Sequence, residues 1–160
     1  MFKFHKLFFI SLIIILNFFI QNLGYSKELS KTKTKTLIYS WVNWLNIIGL
    51  PNTRFSENDL AQYYAPNIEV YTNGKLVAKG YADLYKQYEE IRIQYTSMHI
   101  TLPLNELLVD RNKVALSCVI TLTAKMKQHI NDLAIVEFDN KGKIVKLWEL
   151  LDSKDPTNIQ

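Results

Sequence analysis

The spacing of hydrophobic positions changes twice along the chain. Leu7 to Ile20 is apolar throughout apart from Ser11 and Asn17. From residue 36 to residue 95, apolar residues recur mainly at helical spacing. Beyond Met98 they alternate with polar ones, as in strands that bury one face. A first helix is predicted from about Thr36 to Ile48, with Leu37, Trp41, Trp44, Leu45 and Ile48 on one stripe. Gly49 is a natural stop, and Pro51 prevents continuation. Ser56 opens a short second helix, with Asp59 completing a capping box, and Pro66 closes it. Asn67 to Thr72 and Leu76 to Lys79 form a strand pair around the hairpin signal Asn73-Gly74. A third helix over about Tyr81 to Tyr95 carries the stripe Leu84, Tyr85, Tyr88, Ile91 and Tyr95.

The remainder predicts strands. Met98 to Val109 is a long run broken by Pro103, which suggests an edge position or a bulge. Val114 to Ala124 alternates, with Cys118 on its apolar face. Asp139-Asn140-Lys141-Gly142 turns a final hairpin, and Gly142 supplies the positive φ. Helices come early and a strand meander comes late, which gives an α+β class. On the last strand Val145, Leu147, Glu149 and Leu151 share one face, while Ile144, Lys146, Trp148 and Leu150 share the other. Both faces are largely apolar, so the strand should be covered on both sides. Glu149 is the one carboxylate on its face.

The start of the chain is a separate unit. Lys3, His5 and Lys6 precede the apolar stretch, and the small residues Gly24 and Ser26 precede Lys27. This is the layout of a secretory signal peptide over 1–26, implying a secreted or periplasmic protein cleaved near Ser26. The alternative is an uncleaved anchor, which would be the chain's membrane contact; the apolar stretch falls short of the roughly 20 residues of a comfortable span. Residues 27–35 read as a Ser/Thr/Lys linker, 36–153 as the domain and 154–160 as a tail. Lys3 and Lys6 belong to the leader, and the remaining basic residues nearly balance the 15 acidic ones, so no nucleic-acid partner is expected. Cys118 is the only cysteine, which excludes an internal disulfide and reads as a buried small hydrophobe. There is no metal-ligand spacing, phosphate loop or Gly-x-Ser-x-Gly elbow, and neither a metal nor a cofactor is expected.

Tyr64-Ala-Pro-Asn-Ile-Glu-Val-Tyr71, Gly80 before a helix, and Phe138-Asp-Asn-Lys-Gly-Lys-Ile144 followed by Trp148-Glu-Leu-Leu-Asp152 resemble the SnoaL-like branch of the nuclear transport factor 2-like superfamily. The resemblance spans about residues 36–152. It implies a strongly curved antiparallel sheet wrapped around three helices, a cone with one central pocket, and homodimers through the outer sheet face. It does not imply one reaction, because this fold hosts isomerases, cyclases, dehydratases, epoxide hydrolases and proteins without chemistry. The family's ketosteroid isomerase positions fall near Thr72, Ala134 and Trp41, and its limonene-type epoxide hydrolase positions near Cys118, Ile120 and Glu149. Only the last holds an acid, which weighs against both reactions.

Glu149 remains as a candidate catalytic acid or base, with Asp132 or His99 as its helper. Its structural alternative is a hydrogen bond to a helix aromatic such as Trp41, Tyr64 or Tyr85 that orders the interior. Asp132 shares a face with Ala134 and Val136 but stands near the expected strand start, where exposure is favoured. Trp41, Tyr64, Tyr71, Tyr85 and Tyr88 are the candidate ligand-binding aromatics. They suit a small hydrophobic or aromatic molecule with one or two polar groups. Three functions stay open: an exported binding module, a lyase- or isomerase-type enzyme using Glu149, and a protein-interaction domain with a filled pocket.

Overall fold

The computed structural model describes residues 29–152. The signal-peptide and tail expectations lie outside the described residues. Helix α1 spans Lys31–Ile48 and begins five residues earlier than its apolar stripe suggests. Ser30 is the N-cap and accepts from the Lys33 backbone N–H at 3.2 Å. Thr34 is buried and donates to the carbonyls of Ser30 and Arg111, each at 3.1 Å. Residues 31–35 are therefore helix, not linker. A Thr/Lys run looks like a tether until its one inward threonine finds a distant carbonyl.

The remaining elements are α2 (Glu57–Leu60), β1 (Tyr64–Thr72), β2 (Lys75–Lys79), α3 (Gly80–Gln94), β3 (Ser97–Ile100), β4 (Glu106–Asp110), β5 (Lys113–Thr123), β6 (Lys127–Phe138) and β7 (Ile144–Asp152). All seven strands join one sheet in the order β2-β1-β7-β6-β5-β3, with β4 also paired to β5. The pairs are antiparallel except β1 with β7, which run parallel, so the sheet is mixed and not wholly antiparallel. This follows from topology: the first and last strands meet only because the intervening chain turns through α3 and the meander. The sheet wraps α1 and α3, and the core lies between them.

Turn chemistry sets the registers. Asn73 and Gly74 both take positive φ, as a two-residue hairpin requires. The Asp139 side chain accepts from the Lys141 and Lys143 backbone N–H groups at 2.8 Å, while Gly142 turns at φ 83°. Gly49 ends α1 with an ordinary φ of −75°, not the left-handed cap its type suggests. Its smallness serves close approach instead: a Cβ there would collide with the Met98 carbonyl.

A bulge at the start of β7 alters one facing. Phe138 pairs with Ile144 and Glu137 with Lys146, so Val145 is the extra residue. Ile144 is consequently fully buried rather than outward with Lys146 and Trp148. From Lys146 onward the expected alternation holds: Leu147, Glu149 and Leu151 line the interior of the cone.

Candidate functional site

The cone encloses a cavity of about 320 Å³. Its helical wall is Trp41, Val42 and Leu45 from α1 with Leu84, Gln87, Tyr88 and Ile91 from α3. Its sheet wall comes from the inward positions of β1, β3, β5, β6 and β7, mostly aliphatic. Four groups break that apolar lining on the sheet side: Thr72, Cys118, Asp132 and Glu149.

Strand pairing brings the two carboxyls together. Asp132 stands opposite Leu151 and Glu149 opposite Ala134, so the acids are diagonal neighbours on one face of β6 and β7. Glu149 is half-buried by area because it borders the cavity, yet protein surrounds it. Thr72 Oγ1 donates to its Oε2 at 3.2 Å across the parallel β1–β7 pair. The expected aromatic partners Trp41, Tyr64 and Tyr85 do not bond it. Burial foremost, and then the charge of Asp132, push the Glu149 carboxyl up to about 7.

Asp132 is 6% exposed, so the exposure favoured from its sequence position is corrected. Strand β6 begins at Lys127 and pairs with β5 along its full length, which places Asp132 in mid-strand. Burial pushes its carboxyl up to about 6, against the lowering effect of the Cys118 thiol. That thiol lies 3.9 Å from Oδ2, while Oδ1 is buried without any hydrogen-bond partner. Burial and the two acids raise the Cys118 thiol to about 12, so it is a small hydrophobe with a weak donor, not a nucleophile.

The aromatic candidates divide. Trp41 and Tyr88 line the cavity. Tyr64 stands behind them, fully buried, and joins them in a chain: Trp41 Nε1 donates to Tyr64 Oη at 2.7 Å, and the Tyr64 and Tyr88 hydroxyls are 2.6 Å apart. Burial raises both phenols above their usual range. Tyr71 is not a cavity residue. It stacks on Trp148 on the outer face, ring centroids 6.1 Å apart, because its neighbours Val70 and Thr72 point inward. Tyr85 packs on Phe55 at 5.1 Å, at the edge of the α3 stripe away from the cavity. His99 is exposed between the inward Met98 and Ile100, and cannot assist Glu149.

Three further groups line the cavity: Thr72, Tyr95 and Gln87. Thr72, which the family resemblance marks only as a position without a base, is the hydrogen-bond partner of Glu149. Tyr95, the last residue of the apolar stripe, reaches the cavity from the end of α3. Gln87 lies one turn from Leu84 and Ile91, and its Oε1 is buried without a partner. A lone amide on an apolar stripe marks it in the sequence. Among the described residues no cluster of His, Cys, Asp and Glu could hold a metal ion, and no helix is long and apolar enough to cross a membrane.

No protein-family model matches the sequence, and no curated protein does. Solved structures do match. SalBIII, an epoxide hydrolase/cyclase-like enzyme in pyran ring formation in the polyether salinomycin, has a TM-score of 0.63 at 15% identity, covering 77% of this chain and 93% of its own. IdmH from Streptomyces antibioticus has a TM-score of 0.60 at 13% identity, covering 75% and 92%. A SnoaL-like polyketide cyclase from Agrobacterium tumefaciens has a TM-score of 0.58 at 15% identity, covering 74% and 91%. The agreement runs over nearly the whole length of each neighbour, while identity is too low to carry any residue's role across. With helices, hairpin and meander in that arrangement around one cavity, the chain has the SnoaL-like form of the nuclear transport factor 2-like fold.

Proposed function

We propose that the protein is a binding module for a small, mostly apolar molecule held in the cone cavity. The observation that carries this reading is the open apolar cavity with the buried, unpartnered Asp132 Oδ1 in its wall. An apolar molecule bearing a hydrogen-bond donor satisfies that oxygen and removes the lining from water. Native mass spectrometry of the purified protein tests it: a co-purifying small molecule is expected, and Ile120→Trp, which fills the cavity, should abolish its retention. A protein that emerges empty and gains no thermal stability from aromatic probes, neutral or charged, overturns the reading.

A second reading, a lyase-, isomerase- or cyclase-type enzyme, is favoured by the two acids sharing one face. A Glu149 that titrates near neutrality can give or take a proton at a bound substrate, with Asp132 tuning it. Glu149→Gln should then spare the fold and ligand affinity but abolish turnover. Equal turnover in the variant removes this reading and leaves the binding module standing.

Export and self-association belong to the same proposal. The leader over 1–26 supports export with cleavage near Ser26, checked by the mass of protein recovered outside the cytoplasm. Trp148, Leu150, Leu133 and Ile135 on the outer sheet face support a homodimer. A filled-pocket interaction domain is the weaker reading, since the interior is open.

A further inference from the structure

The polar lining of the cavity is one-sided in charge. Two carboxyls, Asp132 and Glu149, face it, and no Lys, Arg or His does among the residues that line it. Two acceptor atoms, Asp132 Oδ1 and Gln87 Oε1, are buried without partners. Asp132 is the strictest case: its side chain is more than nine-tenths buried, and its only hydrogen bond is a weak one from a thiol to the other oxygen. The rest of the wall is aliphatic or aromatic, with Trp41, Tyr88 and Tyr95 presenting rings. We infer that the ligand is an organic cation, a protonated amine on an apolar, ring-sized body, with its ammonium at Asp132 and Glu149. This rests on the cavity being a ligand site, and names the class of ligand it takes.

Each alternative class leaves something unmatched. An anion would meet two carboxyls and no counter-charge. A neutral alcohol brings one donor and no charge. A primary ammonium brings three N–H donors and the positive charge that two adjacent carboxylates lack. A bare calcium ion needs about six to eight oxygen ligands, more than this wall offers. An aromatic wall adds a favourable face for a cation, and the cavity volume of about 320 Å³ lies at the small end of the range for ligand pockets, roughly 300–1,000 Å³.

The titratable groups facing the acid pair are few. Cys118 on β5 and Tyr88 on α3 are both raised by burial and stay neutral, Tyr64 behind Tyr88 likewise, and Tyr95 completes the set. The acids therefore govern the pH dependence. Below their raised range they hold protons that an ammonium must displace, so affinity for the amine rises with pH, by up to about ten-fold per unit for each proton displaced.

Calorimetry with a matched set of probes tests this: tryptamine, its neutral hydroxyl analogue tryptophol, and the anion indole-3-acetate. At pH 8 tryptamine should bind at least about ten-fold tighter than tryptophol, the scale of one favourable charged contact, and indole-3-acetate should not bind. From pH 8 to pH 5 tryptamine should lose that advantage while tryptophol holds steady. Asp132→Asn should remove the preference for tryptamine, and a circular dichroism spectrum and cooperative melt like the parent's show that the variant still folds. If tryptophol binds as tightly as tryptamine at pH 8, the cation assignment fails and the cavity reading survives. If none of the probes binds, both fall. A preference for tryptamine that persists in Asp132→Asn overturns the placement of the ammonium.

Discussion

The two faces of β6 and β7 invert the usual distribution of polar and apolar groups. The inner face sends Asp132 and Glu149 into an enclosed cavity, where charge is least welcome. The outer face of the same strands shows Leu133, Ile135 and Leu150 to solvent at 51%, 44% and 58% exposure, with Trp148 half-buried beside them. The polar border of that face is well satisfied: Glu69 accepts from Lys79 at 3.1 Å, bridges to Lys146 at 3.3 Å and accepts from Tyr71 at 3.1 Å. The inner acids have one ordinary hydrogen bond between them, from Thr72. Neither face is arranged as an isolated fold would prefer. The inner one is short of hydrogen-bond donors, and the outer one leaves apolar side chains exposed.

The sharpest way to separate the faces is to truncate behind the inner one. Tyr64→Ala should destabilise the fold by about 3–5 kcal/mol, the range for deleting a buried aromatic ring, measured by urea denaturation. Tyr64→Phe keeps the ring but leaves the Trp41 indole N–H unpaired, and should cost about 1–3 kcal/mol. On the outer face Leu150→Ala should stay within about 0.5 kcal/mol of the parent. Comparable losses on both faces would erase the distinction.

Removing the inner charges should act in the opposite direction. Both acids titrate higher in the folded state than when unfolded, near 6 and 7 against 3.8 and 4.5. The folded chain therefore binds their protons more tightly, and their effect on stability is most favourable below about pH 4. It is lost as pH rises through 6 to 7. Asp132→Asn or Glu149→Gln should accordingly stabilise the protein at pH 8 by on the order of 2 kcal/mol, and hardly at all at pH 4. Thermal melts at the two pH values measure this. A loss of stability at pH 8 would mean the ionised acids are compensated after all.

The outer face predicts the smallest effect on the fold and a clear one on assembly. The parent should be a dimer by light scattering at micromolar concentration, and Trp148→Glu a monomer whose chemical stability per chain is little changed. A monomeric parent would leave the outer apolar residues without an explanation.

Much of the fold was legible because alternation and turn chemistry agree. Asn73-Gly74, the Asp139–Gly142 turn and the parity of Leu147, Glu149 and Leu151 suffice to place the last strand against the cavity. The same parity, applied to Val70 and Thr72, turns Tyr71 outward, and applied to Met98 and Ile100 it exposes His99. Other features depend on contacts no local pattern encodes. Ile144 is turned inward by a bulge that appears only once β6 and β7 pair. Asp132 is buried because β6 extends several residues ahead of it along β5. The parallel pairing of β1 with β7 brings Thr72 to Glu149, and no spacing between residues 72 and 149 announces it.

The placement of the three tryptophans gives the protein a built-in optical readout. Trp41 borders the cavity with its indole N–H held by Tyr64, Trp44 is packed among Phe55, Tyr63 and Tyr88, and Trp148 lies on the outer face beneath Lys146. Fluorescence from the native chain therefore mixes an interior and a surface population. Trp148→Phe leaves emission only from helix α1, so quenching or a spectral shift in that variant reports events inside the cone. The surface indole, seen by difference, reports what touches the sheet from outside.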